Sequence, residues 1–301
     1  MSGSNPEKAL LSDEENQRIF ETEIKPELFS GKVGVEKPTV VILGGQPGSG
    51  KSSLIKATKK EFPNSVVEII GDDLRAFHPK VDELTSQNDK TSALYTGIDA
   101  GKWVEKAIEE AKKLRVNVLL EGTMRNSDVV AKTALGFREA GYTVEVKALA
   151  VHFEVSELGI LIRYEGQVLE NGYGRMTVEK SHQASFEGQP KTIERIEREQ
   201  LADKISIYNR DSRELYSNEL KDGSWSREPI GKRVIETERN RLFTRIEIRN
   251  MQAGYNTVYE LQKNRNAPEN ETAIVKQRLA LWTEKVRHLD KPRQKDKGPD
   301  R

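Results

Sequence analysis

Thr39 to Ser53 reads TVVILGGQPGSGKSS, and this stretch decides the fold. Thr39 to Leu43 is a short, apolar, β-branched run, as expected of a strand buried on both faces of a parallel sheet. Gly45-Gln46-Pro47-Gly48-Ser49-Gly50-Lys51-Ser52 fits G-x-x-x-x-G-K-[ST], and a helical pattern from Ser52 to Glu61 follows it. Strand, glycine loop and helix in this order give the motif its meaning. The glycines let the backbone curl so that its N–H groups converge on phosphate oxygens, and the helix N-terminus adds partial positive charge. Residues Gly45 through Ser53 are therefore the expected nucleotide-phosphate cradle. Lys51 is placed to bridge β- and γ-phosphates, and the Ser52 hydroxyl to ligate Mg²⁺. ATP and Mg²⁺ are the expected cofactors.

Outward from this loop, three further candidate strands, Val66 to Ile70, Val116 to Leu120 and Val144 to Val151, alternate with helical stretches. Trp103, Val104, Ala107, Ile108, Ala111 and Leu114 mark one helix; Val129, Val130, Ala134, Leu135 and Phe137 mark another. The alternation predicts an α/β fold, a P-loop NTPase-like, mostly parallel sheet flanked by helices, with ligands outside the carboxyl ends of its strands. Ile19, Phe20, Ile24 and Leu28 define a short leader helix that packs on the sheet. Val155 to Gln200 is rich in charge and helix formers and is interrupted at Asn171, Gly172 and Gly174, as a mobile helical flap would be. Ile205 to Tyr208 and Glu214 to Tyr216 read as a hairpin. Residues 232–263 and 271–289 read as charged amphipathic helices, a C-terminal helical extension. The expected organisation is a leader at 1–38, a core at 39–223, the extension at 224–290 and a disordered tail at 291–301.

Composition narrows the function classes. Of 301 residues, 35% are hydrophobic and 32% charged, ample for a large core but more polar than an average domain. Lys plus Arg (49) and Asp plus Glu (48) nearly cancel, so no overall field draws the protein to nucleic acid or an anionic membrane. The absence of cysteine removes disulfides and thiolate metal sites. No segment resembles a signal peptide or approaches the ~20 apolar residues of a membrane span, and a cytoplasmic location is expected.

A phosphate loop fixes nucleotide binding but not the reaction, because switches, motors and kinases share it. Carboxylates at strand ends bear on the choice. Asp72 and Asp73 directly follow the strand Val66 to Ile70; Asp72 is the candidate to accept the proton of an acceptor hydroxyl, and capping of the next helix is the alternative for either aspartate. Glu121 closes another strand and reads either as a group orienting metal-bound water or acceptor, or as a cap. Arg163 and Arg175, on the flap, suit neutralisation of a transferred phosphoryl group or simply solvated helix faces. His78, His152, His182 and His288 show no metal-ligand spacing.

These residues together resemble the zeta toxin family, the kinase halves of bacterial toxin–antitoxin pairs. The resemblance runs from about Phe20 to Ser217 and rests on LGGQPGSGKSSL (Leu43 to Leu54), GDDLRAFHPKVDEL (Gly71 to Leu84), LLEGTMR (Leu119 to Arg125), LGILIRYE (Leu158 to Glu165) and YNRDSRELYS (Tyr208 to Ser217). It implies an ATP-dependent kinase acting on the sugar 3′-hydroxyl of UDP-N-acetylglucosamine, which blocks cell-wall synthesis. Lys51 and Ser52 match the family's phosphate-loop positions, and Asp72 matches the proposed base. Glu105 and Glu121 match acidic positions of the acceptor region, Thr123 and Arg125 the segment that contacts the sugar nucleotide, and Arg163 a phosphate-binding arginine; Arg175 matches after a one-residue gap. Asp73 replaces an uncharged residue beside the base, and a second buried carboxylate is expected to raise the pKa of Asp72. The resemblance also implies a small helical antitoxin partner that occludes the nucleotide site.

Two other readings predict different observations. A kinase for another nucleotide-like acceptor, such as another UDP-sugar, NAD or a polynucleotide, would keep the ATP site. A nucleotide-driven switch specific for guanine would carry N-K-x-D, and the nearest string, Asn209-Arg210-Asp211, lacks its lysine and spacing.

Overall fold

The computed structural model describes residues 9–62 and 66–290. Its strands are Thr39–Gly44 (β1), Val66–Ile70 (β2), Asn117–Gly122 (β3), Thr143–Leu149 (β4), Lys204–Tyr208 (β5), Glu214–Lys221 (β6) and Ser224–Trp225 (β7). They form one sheet in the order β2-β3-β1-β4-β5-β6-β7. The first five are mutually parallel; β6 returns antiparallel to β5 as the expected hairpin, and the short β7 pairs antiparallel with β6. β1 is central, paired with β3 through Gly44↔Gly122 and with β4 through Gly44↔Ala148. The chain crosses to opposite sides of β1 for its later strands, so β1 ends at a topological switch point, where such sheets bind ligands.

The helices are Asp13–Ile19 (α1), Lys25–Phe29 (α2), Lys51–Lys59 (α3), Gly71–Leu74 (α4), Val81–Asn88 (α5), Ser92–Leu114 (α6), Ser127–Glu139 (α7), Phe153–Asn171 (α8), Glu179–Arg198 (α9), Gly231–Asn240 (α10), Arg245–Asn264 (α11) and Glu269–Asp290 (α12). Alternation along the strands sends Val40, Ile42, Val118, Leu120, Val144 and Val146 into one buried cluster. Leu43 and Leu149 face the other way, against Leu54 of α3 and Val151. Each fully buried aliphatic side chain of this kind contributes roughly 1.5–3 kcal/mol.

The leader joins the first cluster through Ile19, Phe20, Ile24 and Phe29, with a π-helical turn at Phe20–Ile24 between α1 and α2. Buried polar bonds fix it: Asn16 Nδ2 donates to Asp99 Oδ1 (2.9 Å) and Trp103 Nε1 donates to the Asn16 carbonyl (2.9 Å). At the edge strand β2, Lys32 Nζ donates to the Val66 carbonyl (3.0 Å). That contact blunts an otherwise open edge.

The chain divides into two units, one ending at Asn240 and one beginning at Arg241. The first reaches past Gly223 because α10 packs on α9, where the Glu197 carboxylate accepts from the Gly231 N–H (2.9 Å). The segment 232–263, expected as one helix, is interrupted between α10 and α11. Thr244 starts a new helix there with a capping box: the Glu247 N–H donates to Thr244 Oγ1 (3.2 Å) and the Thr244 N–H to Glu247 Oε2 (2.7 Å). In the second unit α11 and α12 form an antiparallel pair with buried Tyr255, Val258, Val275 and Trp282. The expected tail, Lys291 to Arg301, lies outside the described residues.

Candidate active site

The loop from Gly45 to Gly50 joins β1 to α3 as the sequence predicts. Gly48 and Gly50 have φ of +76° and +91°, left-handed values that favour glycine. Gly48 also lies so close to α8 that a Cβ would fall 2.1 Å from the Ser156 carbonyl, while a Cβ on Gly159 would fall 2.3 Å from the Gly48 carbonyl. Two glycines thus let loop and helix touch backbone to backbone. Ser49 Oγ is buried and has no hydrogen-bond partner. A phosphate oxygen would satisfy such a group, so the cradle fits a nucleotide phosphate.

Lys51, at the first turn of α3, donates to the Gly45 carbonyl (2.7 Å) and pairs with Glu121 Oε1 (3.0 Å). Glu121 lies at the carboxyl end of β3, beside Ile70 of β2 and Leu43 of β1. Its burial pushes its pKa up; Lys51 works against that, while the charges of Asp72 and Asp73 reinforce it.

Asp72 lies in the first turn of α4, the helix that follows β2. Its Oδ2 accepts from Arg175 Nη2 (2.8 Å) and its Oδ1 from Arg75 Nε (3.1 Å). Desolvation alone would raise its pKa, but Arg175 and Arg75, with Arg163 behind them, outweigh it and hold Asp72 below the ordinary carboxylate value. The expectation that Asp73 would raise Asp72 is therefore corrected: the arginines dominate, and it is Asp73 that is raised, by burial and then by the charge of Asp72. Arg163 Nη2 donates to Thr177 Oγ1 (2.8 Å), and burial followed by the neighbouring Arg175 lowers its pKa.

Lys51, Glu121, Asp72, Arg163 and Arg175 thus form one electrostatic group at the carboxyl edge of the sheet. Thr123 and Arg125 stand on the loop leaving β3, which α9 pins: Thr192 Oγ1 donates to the Met124 carbonyl (2.7 Å), and Gly188 abuts the Arg125 backbone. Glu105 is exposed on α6 and makes none of the ion pairs that join the group. Ser52 and Ser53 lie exposed at the start of α3.

Several contributors were not foreseen. Arg75 occupies the i+3 position from Asp72, a pairing visible in GDDLR as helical spacing. Asp89, between α5 and α6, accepts from Tyr164 OH (3.0 Å) and the Gly174 N–H (2.9 Å), so it tethers the tip of the flap that carries Arg175. Gln189 Nε2 donates to the Gly44 and Leu149 carbonyls (3.3 and 3.2 Å), tying α9 to the ends of β1 and β4. Nothing local in the sequence marks these long-range contacts.

The zeta toxin family profile matches residues 27–221. The chain is 33% identical over 228 residues to the toxin PezT of Streptococcus pneumoniae serotype 4, covering 71% of this chain and 89% of the relative. It is 32% identical over 244 residues to the toxin zeta of Streptococcus pyogenes, covering 81% and 83%. A solved chain from the PezAT chromosomal toxin–antitoxin system of Streptococcus pneumoniae superposes with a TM-score of 0.70 at 28% identity, covering 85% of this chain and 98% of that one. With more than half of its length matched and relatives above 30% identity, this chain belongs to the zeta toxin family.

Proposed function

We propose that the protein is an ATP-dependent kinase that transfers the γ-phosphoryl group to the sugar 3′-hydroxyl of UDP-N-acetylglucosamine, acting as a toxin against cell-wall synthesis. The observation that carries this reading is Asp72, an ionised carboxylate held by two guanidinium groups at the mouth of a phosphate loop. A switch or motor needs no such carboxylate on the acceptor side. A kinase needs one to orient a hydroxyl.

In this mechanism Lys51 leaves Glu121 for the β- and γ-phosphates when ATP enters the loop. Glu121, whose pKa burial raises, is then released to meet the acceptor, and Thr123, Arg125 and Glu105 are the other acceptor-side residues of this reading. The acceptor hydroxyl attacks the γ-phosphorus in line; the new O–P bond forms as the bond to the β-phosphate oxygen breaks. The proton passes to Asp72, and ADP departs. Arg163 and Arg175 neutralise charge spreading over the transferred group. Because Asp72 has a depressed pKa, it releases that proton readily to water.

Among the described residues no cluster of three acidic, histidine or cysteine side chains suits a metal. The donor set, one exposed Ser52 hydroxyl beside a phosphate cradle, fits Mg²⁺ held chiefly by phosphate oxygens and water. Bound there, Mg²⁺ would neutralise charge on the β- and γ-phosphates.

PezT and zeta are named toxins, and the solved chain comes from a toxin–antitoxin system, which supports an antitoxin as partner; in this reading it is the small helical protein that the family resemblance implies. No helix of the described residues is long and apolar enough to cross a membrane. The test is mass spectrometry of products after incubation with Mg-ATP and a panel of UDP-N-acetylglucosamine, UDP-glucose, NAD, nucleosides and an oligonucleotide. Phosphorylated UDP-N-acetylglucosamine is expected. Transfer only to another acceptor would keep the kinase and replace the substrate; ATP hydrolysis indifferent to every acceptor would favour a switch.

A further inference from the structure

Gln46 belongs to the phosphate loop, yet its side chain is wholly buried. Its Nε2 donates to the Val151 carbonyl (2.8 Å) and to Ser156 Oγ (3.3 Å), and its Oε1 accepts from Arg239 Nη2 (2.9 Å). The same Nη2 donates to Gln189 Oε1, and Nη1 donates to the Phe186 carbonyl (2.6 Å). The guanidinium stacks on the Phe186 ring, 4.2 Å from its centroid.

A guanidinium can only donate, so both glutamines must turn their carbonyl oxygens toward it. That choice aims the Gln46 amide group at α8 and the Gln189 amide group at the Gly44 and Leu149 carbonyls. One buried cation thereby sets the orientation of two amides, one inside the phosphate loop and one beneath the strand that feeds it. Among the described residues Arg239 forms no ion pair, and its polar contacts are with Gln46, Gln189 and the Phe186 carbonyl. Burial pushes its pKa down to about 9, against the pull of Glu236 one turn earlier, which leaves it charged at neutral pH.

Evolution has few reasons to bury an arginine against neutral partners, because a hydrophobic residue of similar volume commonly packs there at no loss of stability. Here the cation has a structural target that such a residue would lack. Arg239 also lies on α10, beyond the residues matched by the family profile.

We infer that Arg239 is a positioning residue of the phosphate loop: through Gln46 it fixes the loop's conformation for nucleotide binding. The inference rests on the nucleotide reading above, and the test separates the two. Equilibrium affinity for Mg-ATP and thermal midpoint are measured for the wild type, R239M, R239K, Q46A and the double variant R239M/Q46A. If the wild type binds no Mg-ATP, the nucleotide reading fails and this inference with it.

With a binding wild type, R239M and Q46A are each expected to weaken Mg-ATP about tenfold, R239K by less, and the double variant no more than the worse single one. An arginine that only stabilised the fold would lower the midpoint while leaving affinity at matched folded fraction within twofold, or would multiply with Q46A; either result overturns the inference. Should R239M fail to fold, R239K and Q46A decide: weakened binding by both supports it, and wild-type affinity in either overturns it.

Discussion

Two carboxylates side by side, Asp72 and Asp73, are driven in opposite directions by their surroundings. Asp72 is clasped by Arg175 and Arg75 and stays ionised; Asp73 carries the repulsion. Asp72→Asn keeps the shape but cannot accept a proton, so kcat is expected to fall about 10²- to 10⁴-fold with little change in Mg-ATP affinity, read from product formation and nucleotide binding. Another titration belongs to His182, which is buried, stacks on Phe153 and lies 2.8 Å from Ser156 Oγ, the hydroxyl that also meets Gln46. Burial, then the charge of Arg239, pushes its pKa down to about 4 from an ordinary 6.5. Between these values the unfolded chain binds the extra proton, so stability present above pH 6.5 is lost as pH falls toward 4, at up to about 1.4 kcal/mol per pH unit. Urea midpoints at pH 7.5, 6 and 5 should fall more steeply for the wild type than for His182→Gln; parallel slopes would contradict the assignment. The sequence disclosed the ionisable candidates and their strand-end positions, but not which of two adjacent aspartates would be stabilised. Arg75, three positions on, gives a local hint, but the largest single lowering contribution comes from Arg175, more than a hundred positions away, which no local spacing encodes.

Helix α8 meets the phosphate loop backbone to backbone, through glycine, as well as through the Ser156 hydroxyl on Gln46. Gly159 of α8 faces Gly48, and a Cβ there would fall 2.3 Å from the Gly48 carbonyl. Gly159→Ala is therefore an overpacking change, with an expected stability cost of about 1–3 kcal/mol and an accompanying loss of nucleotide affinity, measured by thermal unfolding and titration with Mg-ATP. The α8–α9 segment also depends on its tether. Asp89→Ala frees the Gly174 N–H and the Tyr164 hydroxyl, lets the tip that bears Arg175 move, and is expected to lower kcat about tenfold, equivalent to ~1.4 kcal/mol of transition-state binding. Unchanged turnover in Asp89→Ala would show that the tip needs no tether. Most elements were legible because their signals are local: the apolar run of β1, the glycine loop, the periodic faces of α6 and α7, and the hairpin of β5 and β6. The break between α10 and α11 was not, because Arg241–Thr244 carries neither glycine nor proline. Only the capping box starting at Thr244, with Glu247 at its third position, hints at a new helix.

At the scale of the whole chain, two units are joined in sequence at Asn240 and Arg241, and every residue of the candidate site lies in the first. Near-zero net charge gives no general attraction to polyanions, so affinity for a nucleotide must be generated locally, and in the proposed reading Lys51, Arg163, Arg175 and the loop's N–H groups generate it. The family match ends at residue 221, but the physical unit does not. Glu197, which accepts from Gly231 and Tyr216, ties α10 and β6 to α9, and Arg239 reaches from α10 to the phosphate loop. The expected division at 223/224 followed a change in composition, whereas these contacts are made across long sequence separations. Two truncations distinguish the boundaries. A chain ending at Asn240 keeps all of these contacts and is expected to fold cooperatively and to bind Mg-ATP within about threefold of the full chain, a difference below 1 kcal/mol. A chain ending at Lys221 exposes the α9 face, removes Gly231 from Glu197 and Arg239 from Gln46, and is expected to lose nucleotide binding even where helical signal survives. Circular dichroism melts with Mg-ATP titration read both outcomes. Equal binding by the two truncations would place the functional boundary at the end of the family match, and loss of binding in both would make α11 and α12 part of the working enzyme.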